Sequence, residues 1–182
     1  MGGAVYAASS NITLLSTTFN NNTAGYGGAI YVVSSIVIGS RNMTLTNNNA
    51  IDFTANSAAS FGGALYASQK EYGPTITGVA FSKNIAEAGG AVYFSAVGTF
   101  EYSSYSPSSK FIECRFEGNS ASSTGGAIHS TAGKDLVWGT NFTNNTADFG
   151  GALRVSGVIV LLNSSFVENK SGEEGGPAIS NG

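Results

Sequence analysis

Eleven carboxylates, one histidine and one cysteine hold most of the reactive side-chain chemistry of this 182-residue chain. A glycoside hydrolase needs two carboxylates about 5 to 9.5 Å apart. Here the acids are scattered as Asp52, Glu71, Glu87, Glu101, Glu113, Glu117, Asp135, Asp148, Glu168, Glu173 and Glu174. Only Glu173 and Glu174 adjoin, and such a pair either holds a weak cation or is plain solvated surface. His129, standing alone, cannot make a histidine-rich zinc site. No His or Asp is placed to activate a Ser or Cys nucleophile. Cys114, two residues before Phe116 in an alternating stretch, belongs in the core and should be inert; a single cysteine also excludes an internal disulfide. The expectation is no catalytic residue, no cofactor and no metal.

Recognition is the chemistry left. Tyr6, Tyr31, Tyr66 and Tyr93 recur in equivalent places, followed by His129 and Arg154. An aromatic ladder stabilises neighbouring strands, but it also offers large contact area with a polar handle. A Tyr, a His and an Arg on one surface could bind a sugar acid or another anion. Two insertions, 34–50 and 98–110, are further candidates, the second carrying Tyr102, Tyr105 and Pro107 in a serine-rich loop; loops on rigid scaffolds often make contacts. Seven Asn-x-Ser/Thr sequons, at Asn11, Asn21, Asn42, Asn141, Asn144, Asn163 and Asn169, are possible glycan acceptors in a secreted protein. With eight Lys and Arg and no basic cluster, nucleic acid is not an expected partner.

These residues are positioned by a repeat. Two glycines, an alanine and an aliphatic residue begin at Gly2, Gly27, Gly62, Gly89, Gly125 and Gly150, with a variant at Gly175, at spacings of 25, 35, 27, 36, 25 and 25. Between them falls Phe-x-x-Asn-x-(Ala/Ser), with Phe19, Phe53, Phe81, Phe116, Phe142 and Phe166 and, three residues later, Asn22, Asn56, Asn84, Asn119, Asn145 and Asn169. From each Phe to the next glycine pair is 8 or 9 residues, while the other arm absorbs every insertion.

Periods near 25 admit few architectures. No segment sustains a 3.6-residue apolar stripe, which excludes helical repeats. The short apolar runs read as strands separated by turn residues. Charged residues are only 10% of the chain against 42% hydrophobic, with a net charge of −3, which is not the composition of a disordered segment. The expectation is an all-β, right-handed, single-stranded parallel β-helix of about six coils, residues 1–182 forming one segment of a longer array. Alternation places Val5, Ile30, Leu65, Val92, Ile128, Leu153 and Ala178 inside, with the Phe column. An Asn in each turn tolerates left-handed backbone and bonds turn amides, and stacked copies could bond one another. Pro177 stands in place of the usual alanine. A glycine-rich phosphate loop is excluded, since that motif occurs once and leads into a helix.

The alternating GGA(I/V/L) and FxxN motifs resemble the repeats of the chlamydial polymorphic outer membrane protein family, from Gly2 to Ala178. The resemblance implies a parallel β-helical passenger displayed on the cell surface, outer membrane or outside the cell, with a part in adhesion to host or neighbouring-cell proteins or glycans. It also implies membrane attachment through flanking regions. Parallel β-helices also serve carbohydrate lyases and hydrolases, so a fragment of such an enzyme is the alternative reading.

Overall fold

The computed structural model describes residues 1–8, 12–14, 17–33, 44–46, 51–69, 74–96, 109–172 and 175–181. Among them the chain is an all-β parallel β-helix: an eleven-stranded sheet and two six-stranded sheets, with every pairing parallel. One six-stranded sheet collects the Phe strands: Thr18–Asn20, Asp52–Thr54, Ala80–Ser82, Arg115–Glu117, Asn141–Thr143 and Ser165–Val167. The other collects the strands that lead into the glycine pairs, from Thr23–Tyr26 to Lys170–Ser171. The large sheet takes the strands after the glycine pairs and the strands before the Phe motif; Ile128–Trp138 and Leu153–Leu162 run through both places without a break.

A single rung cannot bury its own apolar face, so neighbours bury it. Phe53, Phe81, Phe116 and Phe142 have no exposed surface. Their rings, with Phe19 and Phe166 at the two ends, stack 4.7–5.0 Å apart and within 7° of parallel. That is the rung spacing of the parallel strands. Parallel rings at this centroid separation lie within the range that ring pairs prefer, and the register of the backbone sets it. Ile30, Leu65, Val92, Ile128 and Leu153 fill the opposite side of the same core.

Each glycine pair answers two separate constraints. Gly27 has φ +56°, where an L side chain is strained, and its successors Gly62, Gly89, Gly125 and Gly150 repeat the turn. Gly28 has no such φ, yet a Cβ on it would lie 2.0 Å from the carbonyl oxygen of Gly63 in the next rung. One glycine therefore makes the corner and the other lets adjacent corners touch. The left-handed position in the Phe corner is not the ladder Asn. It is the residue before it: Asn21, Ala55, Lys83, Gly118, Asn144 and Glu168, with φ of 53° to 61°.

The alternation of 8 and 9 residues between Phe and glycine pair also has a structural origin. The first four strands of that sheet alternate between four and five residues, and the pairs Thr23–Tyr26 with Ser57–Phe61, Ser57–Phe61 with Ile85–Ala88, and Ile85–Ala88 with Ser120–Thr124 each absorb the difference as a register shift.

The last rung departs from expectation. Leu153 pairs with Ile179, not Ala178, and Arg154 with Ser180. The amides of Ala152 and Leu153 donate to Ala178 O, as those of Ala127 and Ile128 donate to Ala152 O. Ala178 is thus the motif alanine and Ile179 its aliphatic residue. Pro177 replaces the second glycine of the pair, and a Cβ on Gly151 would meet its carbonyl.

Candidate functional site

Strand register carries Tyr6, Tyr31, Tyr66, Tyr93, His129 and Arg154 into one outward row that ends against Ser180. The tyrosine rings stack at 5.5, 4.8 and 5.6 Å, and the His129 imidazole continues the stack 4.7 Å from Tyr93. Tyr6 is 54% exposed; the rings above it are half-buried between neighbours. Burial, the largest cause in each case, raises the pKa of Tyr31, Tyr66 and Tyr93. Their phenols are therefore protonated at neutral pH and can donate hydrogen bonds.

A second row lies alongside, made by the residue before each glycine pair: Tyr26, Phe61, Ala88, Thr124 and Phe149. Tyr26 packs edge-on against Tyr31 and Tyr66. Phe61 leans toward the next rung, 4.5 Å from Tyr93 against 6.4 Å from Tyr66. The two rows thus meet across the glycine corners as one aromatic band. Sequence reasoning found only the first row. The signal for the second was an aromatic directly before Gly27, Gly62 and Gly150.

At the far end of the band the chemistry changes. Thr124 Oγ1 lies 2.6 Å from His129 Nδ1. Burial, and secondarily the Arg154 guanidinium, lower the His129 pKa to about 4. The imidazole is neutral at pH 7, so it offers a hydrogen bond and no charge. Arg154 donates to Ser180 Oγ. Among the described residues the ion pair is Arg115 with Glu117, and no described carboxylate pairs with Arg154.

The Phe and Asn columns are interior and structural in placement. The amides of Asn22, Asn56, Asn84, Asn119, Asn145 and Asn169 bond in one unbroken chain, each Nδ2 donating to the next Oδ1 at 2.8–3.0 Å. Cys114 is buried, its Sγ against Ile76 O and Ile112 O, and burial pushes the thiol up to about 11; a thiol held protonated is a poor nucleophile.

Asp135 is not part of any outer groove. It is 3% exposed, its carboxylate accepts hydrogen bonds from Ser109 and Ser130, and burial raises its pKa. Its place two residues before Val137 on an alternating strand marks it as inward-facing. Outside the glycine corners, Trp138 and Leu162 pair in register and stand 42% and 50% exposed. Among the described residues no three of His, Cys, Asp and Glu come together. Tyr102, Tyr105, Pro107, Glu173 and Glu174 lie outside the described residues.

Two stretches, residues 16–33 and 113–131, match the Chlamydia polymorphic membrane protein repeat. Each contains one Phe-x-x-Asn unit and the glycine pair after it. The chain is 31% identical over 141 residues, 75% of its length, to the probable outer membrane protein pmp6 of Chlamydia pneumoniae. It spans about a tenth (10%) of that relative's length. No solved structure matches it.

Proposed function

From a chain that carries the repeat of the chlamydial polymorphic membrane protein family, we propose a non-catalytic, surface-exposed stretch of an outer membrane protein, a rigid β-helix that displays a contact surface for adhesion. The outer membrane setting rests on the relative's description as a probable outer membrane protein. The contact surface rests on one observation: six successive outward positions, Tyr6 to Arg154, stand in strict register on a core whose own needs are met by other columns. Core packing fixes the rung spacing, and the inward Phe and Asn columns close it. The outward rings are therefore available for recognition, as aromatic residues in binding surfaces are. The partners that suit it are proteins or glycans of a host or neighbouring cell, and the segment acts as one unit of a longer array.

The test is attachment. Beads coated with the 182-residue chain should hold to cultured animal cells, and glycan and protein arrays should show discrete partners. A double Tyr31→Ser, Tyr66→Ser variant with an intact fold should lose most of that attachment. Cleavage of a polysaccharide by the chain, with no attachment, would overturn the reading in favour of an enzyme fragment.

A further inference from the structure

Building on that reading of the band as a contact surface, we propose that its far end, where Thr124 bonds His129 and Arg154 stands beside His129 in the next rung, is a binding site for a sugar acid, a single pyranose ring bearing one carboxylate. The second row supplies the shape. Phe61 leans over Tyr93 on one side and Phe149 stands 39% exposed on the other. Between them the row drops to Ala88 and Thr124. At about 4.8 Å per rung this break is on the order of one sugar ring wide, and it is rimmed by apolar ring surface.

The polar groups supply the chemistry. Arg154 spends one N–H on Ser180 and has no carboxylate partner among the described residues. Its planar fork matches a carboxylate by two parallel hydrogen bonds. His129 Nδ1 is engaged with Thr124 Oγ1, which leaves Nε2 as the other ring nitrogen, a donor or an acceptor according to the tautomer. The Tyr93 phenol and the Thr124 hydroxyl are further partners for ring hydroxyls. A cation beside neutral hydrogen-bonding groups matches a monoanion, and few polar groups on an apolar rim are the usual make-up of a small-ligand site.

The experiment is saturation-transfer NMR and titration of the 182-residue chain with glucuronic acid and N-acetylneuraminic acid, with glucose and inorganic phosphate as controls. Binding of at least one sugar acid, with neither control bound, is expected. Arg154→Gln should weaken it roughly tenfold or more, the worth of a charged hydrogen bond. Thr124→Tyr, which fills the break without removing charge, should abolish it. Both variants must keep the wild-type melting temperature within a few degrees; Thr124→Val and Arg154→Lys serve where they do not. The proposal is overturned if neither acid binds, if phosphate competes equally, or if variants that fold bind as wild type. The readout is a free monosaccharide, so cell attachment without sugar-acid binding sinks this site alone. Sugar-acid binding without cell attachment sinks the adhesive role alone.

Discussion

Asn84 gives two hydrogen bonds to one oxygen of Asn119: its backbone N–H reaches Oδ1 at 3.0 Å and its side-chain Nδ2 reaches the same atom at 2.9 Å. The second Nδ2 hydrogen goes back to Phe53 O at 3.0 Å. Asn84 Oδ1 in turn accepts the backbone N–H and one side-chain N–H of Asn56. All four hydrogen-bonding sites of a fully buried primary amide are thereby used. No other side chain of this size has two donors and a doubly accepting oxygen, so the column specifies Asn by chemistry as well as by turn geometry.

Replacing Asn84 with Ala should therefore cost more than one hydrogen bond. Asn56 would lose the acceptor for its backbone N–H and one side-chain N–H, and Phe53 O would lose the side-chain donor of Asn84. At about 1–3 kcal/mol for each buried group left unsatisfied, the loss should reach about 3 kcal/mol or more. Asn84→Asp should differ in its pH dependence. Its carboxylate still accepts from Asn56 but sets oxygen against Phe53 O and Asn119 Oδ1, and protonation restores one donor. Urea unfolding should show the Asp variant's deficit against wild type shrinking from pH 7 to pH 4. An Asp deficit independent of pH would contradict this account.

The glycine corners allow a sharper contrast. Gly28→Ala would place a Cβ 2.0 Å from Gly63 O and 2.6 Å from Ser57 O, both backbone atoms of the next rung that cannot move independently. We expect no folded protein. Three residues away, a Cβ at Gly25 meets nothing within 4 Å and the backbone there is not left-handed. Gly25→Ala should be neutral or stabilising by about 0.4–1 kcal/mol, through the lowered entropy of the unfolded chain. Expression yield and thermal melting of the two variants decide the matter; equal behaviour would mean that rung contact does not govern the motif.

Much of this was legible in the sequence because a solenoid writes each spatial column as a period. Phe19 to Phe166 and Tyr6 to Arg154 fall into register by counting from the motifs. Counting fails where one residue is gained or lost. The last rung gains one residue ahead of Ala178, and only the pairing of Leu153 with Ile179 shows that it is offset by one. Likewise the left-handed residue is Lys83 rather than Asn84: both types occupy turns, and only backbone geometry separates the corner from the ladder. Phe61's lean toward Tyr93 follows from a register shift in its strand, which spacing records as an alternation of 8 and 9 without saying what it moves. Asp135 is one of eleven scattered acids in the sequence, and only the fold shows that it is buried.

His129 should titrate near pH 4. In the unfolded chain its pKa is the ordinary 6.5, and in the fold burial, with Arg154 second, lowers it to about 4. The unfolded state then binds more protons between these values, so stability is full above about pH 6.5 and declines as the pH falls toward 4. The imidazole Cε1–H resonance followed from pH 8 to 3 measures the folded pKa directly. Arg154→Gln should move it upward by part of the shift only, since burial is the larger cause. A midpoint near 6.5 in the wild type would show the ring to be solvated.

Asp135 has the opposite sign. Its folded pKa is raised from 3.8, mainly by burial among Phe111, Ile128, Val137 and Leu153, while Ser109 and Ser130 pull it partly back. A group with a raised folded pKa adds stability that is complete below its unfolded pKa and is lost as the pH rises through the folded one. Above that point either a charge sits in the core or the fold opens to release it. Asp135→Asn keeps the shape and an acceptor for the serines but cannot ionise. Relative to wild type it should therefore gain stability at pH 8 and gain little at pH 4. Because His129 is unchanged between the two proteins, its own pH dependence cancels in the difference. Melting curves of both proteins at the two pH values supply that difference, and a gain that is equal at both, or larger in acid, would show that the carboxylate is not held neutral by its surroundings.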